Sequence, residues 1–156
     1  MINEAIRLER IEKLIEQYVN SFGKARIAIY FFPDLENHGD FPRFLNAFLS
    51  ALRRVNSRPA YSWTYDSCRK IYSLFLIVSG YFRNDMQDIN DAARRIWQLY
   101  SQSPVQFIAE MPTDETSLVQ DKMKIMEIIN STQMSCSIPQ RILPFHQRTF
   151  ACSKLY

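Results

Sequence analysis

At 156 residues the chain has the usual size of one domain, and its 47% hydrophobic against 22% charged residues, with 11 Phe, 8 Tyr, 2 Trp and 3 Gly, excludes a disordered or low-complexity protein. The formal charge of +3 excludes a histone-like polycation and a strongly acidic nucleic-acid mimic. The excess has one address: residues 128–156 contain no Asp or Glu and carry Arg141, His146, Arg148 and Lys154, so the rest of the chain is neutral.

Apolar residues at Leu8, Ile11, Leu14, Ile15, Tyr18, Val19 and Phe22 keep helical spacing and predict a first helix, closed by Gly23 at a C-cap position. Ala25 to Phe32 reads as a buried strand, and Pro33 to Asp40 as a loop. Asp40 is the predicted cap of a second amphipathic helix running to Val55 before Pro59. Ala60 to Asp66 and Ile71 to Val78 are strand-like and separated by a short turn, which predicts an antiparallel hairpin. A third helix, capped by Asn84 or Asp85, places Met86, Ile89, Ala93, Ile96, Trp97 and Tyr100 on one side; Val105 to Met111 is a predicted strand. The loop Pro112 to Ser117 leads to a fourth helix from about Ser117 to Asn130. Strand, helix, strand, strand, helix, strand across residues 25–111 is the split βαβ order, so the expected fold is α+β: a ferredoxin-like palm of four antiparallel strands with flanking helices. Residues 1–24 form the N-terminal helix of this single domain and residues 112–156 its C-terminal helix and basic tail. The first and last helices and the tail are expected over edges or the remaining sheet face.

Candidate chemistry is sparse. Gly23, Gly39 and Gly80 stand alone, so no phosphate-cradling glycine loop is present. Cys68, Cys136 and Cys152 are an odd number without disulfide or zinc spacing, which suits reduced thiols and a cytoplasmic protein. His38 and His146 are isolated, and Cys152 lacks a recognisable base. No run approaches the roughly 18 apolar residues of a membrane span, and the N-terminus lacks a secretory apolar core. Tyr61, Trp63, Tyr65 and Tyr72 either stack bases on an exposed sheet or form core beneath helices. Arg53, Arg54 and Arg58 end the second helix, where cations complement the helix dipole, while Arg69 and Lys70 sit in the hairpin turn.

The stretch from Asp40 to Val78 resembles the inovirus-type replication initiator-like family, also described as the YagK/YfjJ C-terminal domain family of prophage proteins. Tyr61, Trp63 and Asp66 match its Tyr-x-Trp strand and the acid that ends it; Lys70 and Tyr72 match its Lys-x-His-Tyr-His strand; Leu74 to Val78 supply the apolar run that follows. Ile96 and Trp97 resemble its Trp-containing helix, and Arg148 to Leu155 its closing Arg-x-Phe-Gly-x-Ser-Arg signature, with Ala151 at the glycine. The likeness to rolling-circle nucleases implies two metal-binding histidines and a nucleophilic tyrosine, but Ile71 and Ser73 occupy the histidine positions and EIINSTQMSC replaces the tyrosine helix. Isoleucine has no donor atom, and serine is a poor replacement for imidazole. Asp66, without those ligands, is expected to cap the hairpin turn, and Tyr72 to face away from Ile71 and Ser73.

The leading expectation is a catalytically inactive initiator-like protein of a prophage or mobile element that binds nucleic acid through Arg69, Lys70, Arg141, Arg148 and Lys154, without metal, cofactor or membrane partner. The alternative is a protein-binding inhibitor of a host defence or replication factor. A further alternative is a residual metal-dependent nuclease with relocated ligands such as Asp66, His38 or His146. Oligomeric state is left open.

Overall fold

The computed structural model describes residues 2–81, 85–132 and 150–152, with side chains for 8–81 and 85–132. In chain order the elements are α1 (Ile2–Phe22), β1 (Lys24–Pro33), α2 (Asp40–Arg54), β2 (Ala60–Asp66), β3 (Ile71–Ser79), α3 (Met86–Trp97), β4 (Gln106–Asp114), α4 (Leu118–Thr132) and β5 (Phe150–Cys152). All strands join one antiparallel sheet in the order β4-β1-β3-β2-β5. The first four reproduce the predicted split βαβ palm. The fifth is a correction: three residues of the basic tail pair with β2 at Ser62, Trp63 and Thr64.

The continuous apolar character of β1 and β3 follows from burial on both faces. Ala28, Tyr30 and Phe32 of β1 and Tyr72, Leu74, Leu76 and Val78 of β3 pack beneath α2 and α3 with Phe41, Phe44, Phe48 and Trp97. Their neighbours Ile27, Ile29, Phe31, Phe75 and Ile77 pack beneath α1 and α4 with Ile11, Ile15, Val19, Ile125 and Ile129. Thus α1 and α4 cover the remaining sheet face, tied together where Lys122 ion-pairs with Glu16 and, at 3.8 Å, with Glu12. Trp63 and Tyr65 are buried and Tyr61 packs beside them, so these hairpin aromatics are core.

Several boundaries differ from the sequence expectation for local reasons. Gly39, not Asp40, is the N-cap of α2; Asn37 Oδ1 accepts from Gly39 N at 2.9 Å, and Asp40 enters the first turn, where its charge favours the helix dipole. Strand β4 runs on through Pro112 to Asp114, which its edge position permits because a proline there forfeits no interior ladder bond. Asp85 caps α3 by accepting from Asp88 N at 3.2 Å; Asn84, the other candidate, lies outside the described residues.

Two glycines set the geometry where β1 begins. Gly23 has φ +84° and donates to the Val19 carbonyl at 2.7 Å, ending α1 in the left-handed region. Gly80 donates to the Lys24 carbonyl at 2.9 Å, and a Cβ there would lie 2.9 Å from the Lys24 carbonyl carbon. Only glycine fits so close to a neighbouring backbone.

Candidate nucleic-acid interface

The β2–β3 turn is organised around Asp66. Its Oδ1 accepts from Cys68 N and Arg69 N at 2.9 and 3.1 Å, and its Oδ2 from Arg69 Nε at 2.7 Å, so it caps the turn as expected. Arg69 is thereby held by its own turn, its guanidinium also 5.4 Å from the centre of the Phe31 ring. Lys70 is exposed at φ +56°. Arg141, Arg148 and Lys154, the other predicted nucleic-acid contacts, lie outside the described residues, as do His146 and Cys136.

Positions 71 and 73 point away from Tyr72, into the layer beneath α1 and α4. Ile71 packs against that layer, and Ser73 is only 5% exposed. The Ser62 and Ser73 hydroxyls, neither with a described partner, line a cavity of about 10 Å³ beside Ile11, Ile29 and Ile129. This is the face on which the initiator likeness would set its histidines, and helices close it to anything the size of a phosphodiester.

On the other face, loop 34–39 folds over β2 and β3. Tyr65 donates to Asp34 Oδ1 at 3.0 Å, while His38 Nδ1 bonds the Tyr72 hydroxyl and lies 3.8 Å from Asp34 Oδ1. Burial, reinforced by the Asp34 charge, pushes the Tyr72 phenol far above its ordinary range. The phenol thus stays protonated beside the His38 ring. Tyr72 also stacks on Phe41 at 4.3 Å. Among the described residues no three His, Cys, Asp or Glu side chains converge as a metal would require. The relocated-ligand alternative thus finds Asp66 holding a turn and His38 holding Tyr72.

The opposite end of the sheet is different. The Leu52 carbonyl near the end of α2 accepts from Ser57 N and Ser57 Oγ, and the Ser57 carbonyl accepts from Ser79 N at 2.7 Å. Those bonds bring the end of α2, the loop before β2 and the end of β3 together, and the Gly80–Lys24 bond with the Ala25–Ser79 pairing adds the start of β1. Exposed Arg53, Arg54, Arg58 and Lys24 gather there, outside any ion pair among the described residues. The Arg58 guanidinium lies 5.0 Å from the Phe22 ring centre, and Lys24 Nζ lies 5.4 Å from that of Tyr81, a ring 66% exposed. Asp114 pairs with Lys24 across β1 and β4. Its carboxylate, however, accepts from Thr116 and Ser117, bonds that hold its pKa at about 2. Sequence reasoning treated Arg53, Arg54 and Arg58 as a solvated helix end and passed over Lys24 and Tyr81, which meet only through the β1–β3 pairing and the Gly80 contact.

No helix among the described residues is long and apolar enough to cross a membrane. No protein-family model, curated protein or solved structure matches the chain, so the initiator likeness rests on the residues quoted for it.

Proposed function

We propose that the protein binds nucleic acid without cutting it, on a scaffold resembling rolling-circle replication initiators, in the service of a prophage or related mobile element. The observation that carries this reading is that, at one end of the sheet, Lys24 lies against the exposed Tyr81 ring and Arg58 against the Phe22 ring, where α2 ends in the exposed Arg53 and Arg54. Such cations attract phosphates, and an exposed aromatic face can stack on a base. The helix-covered positions of Ile71 and Ser73 support binding without cleavage.

Fluorescence anisotropy of a labelled oligonucleotide over a salt series tests the proposal. The expected log–log slope is about −2 to −3, which Arg53→Glu with Arg54→Glu flattens. Absence of binding at low salt overturns it. Neutralising Arg141, Arg148 and Lys154 together separates the two basic regions: unchanged affinity assigns binding to the sheet end, and abolished affinity assigns it to the tail.

One observation favours a protein partner, such as a host defence or replication factor, as a second reading. Val119 and Met123, one turn apart on α4, are 70% and 69% exposed. A Val119→Glu, Met123→Glu variant that loses a stoichiometric partner held by the wild type supports this reading; unchanged capture counts against it.

A further inference from the structure

Arg58 is the most constrained cation at the basic end. It occupies the left-handed region at φ +50°, two residues after Asn56 at φ +59°, in a loop where Ser57 is fixed on both sides by backbone bonds. A non-glycine residue holds such a conformation only when its surroundings impose it. The imposing group is on α1: the Tyr18 hydroxyl donates to the Arg58 carbonyl at 2.6 Å and lies 3.4 Å from that of Ser57. One turn later on α1, Phe22 packs its ring 4.7 Å from that of Tyr18 and seats the Arg58 guanidinium.

We propose that Tyr18 is a positioning residue for nucleic-acid binding: its hydroxyl fixes the Arg58 backbone and its ring backs Phe22, so that the guanidinium stands ready for a phosphate before any ligand arrives. The inference rests on the nucleic-acid reading above. A flexible arginine loses backbone and rotamer freedom when it takes a phosphate; one already held in place loses less and binds more tightly. Tyr18 is fully buried and touches no ligand, so it acts only through Arg58 and Phe22. Burial keeps its phenol protonated well above the ordinary range even though the Arg58 charge pulls the other way, so the donor persists throughout the neutral range.

The test is a double-mutant cycle read by oligonucleotide anisotropy at stepped salt, with Tyr18→Phe, Arg58→Ala and the double variant. Tyr18→Phe is expected to weaken binding about threefold to tenfold and to flatten the salt slope by about 0.5 to 1, as Arg58→Ala does. In the Arg58→Ala background it should add nothing, a non-additivity that a merely structural role would not produce. If Arg58→Ala weakens binding but Tyr18→Phe does not, or if the two losses add, the positioning role is overturned while the nucleic-acid reading stands. If the wild type binds nothing at low salt, both fall. Should Tyr18→Phe fail to fold, Phe22→Leu removes the seat of the guanidinium, and the same non-additivity with Arg58→Ala is expected; additive losses overturn the role.

Discussion

Tyr18, Tyr30 and Tyr72 bury phenols that burial pushes far above their ordinary value of 10.0. For such groups the unfolded chain releases its proton first. Their contribution to stability is therefore complete below about pH 10 and declines as pH rises above it, by up to about 1.4 kcal/mol per pH unit for each phenol. Urea titrations at stepped alkaline pH check this, and stability that stays flat above pH 10 refutes it. Ser73 carries a second residue-scale prediction. It is 5% exposed and its hydroxyl has no described partner, so Ser73→Ala should be neutral or mildly stabilising. Ser73→His, which restores the residue of the resemblance, should overpack the seam under α1 and α4 and cost about 1–3 kcal/mol in chemical denaturation.

Among the elements, α3 shows how a periodic pattern encodes packing. Trp97 is fully buried among Phe32, Phe41 and Phe44, with its indole N–H donating to the Ser103 carbonyl at 3.0 Å. Trp97→Ala should cost about 3–5 kcal/mol, measurable as a lowered denaturation midpoint. Gly80→Ala should lower the midpoint by a smaller amount and shift the amide signals of Lys24 and Ala25, because the backbone it meets cannot turn aside. The helical stripes, the hairpin and the split βαβ order were legible because each follows from local periodicity. The passage of β4 through Pro112 was not, since proline marks a loop except on an edge, and edge position is a property of the assembled sheet. Strand β5 escaped for a similar reason: three residues carry too little pattern without β2 to pair with. In the basic end the arginines were legible as a helix terminus, but their aromatic neighbours come from elsewhere in the chain.

At the scale of the molecule, helices cover both faces of the sheet, and its two edges are unequal. Strand β5 lies along β2, whereas β4 is a boundary strand. Truncation after Thr132 removes β5 and uncovers β2, so soluble yield should fall and high-mass species appear by size-exclusion chromatography. The basic end draws Phe22 from α1, Lys24 from β1, Arg53 and Arg54 from α2, Arg58 from the loop before β2 and Tyr81 from just after β3. These groups are neighbours only while both layers are docked on the sheet, and an unfolded chain cannot present them together. An oligonucleotide that engages them is thus a ligand of the native state alone, and at a free concentration about a hundred times its Kd it would add about 2.7 kcal/mol to global stability. The melting temperature of the whole protein becomes an assay for a contact made at one end of it.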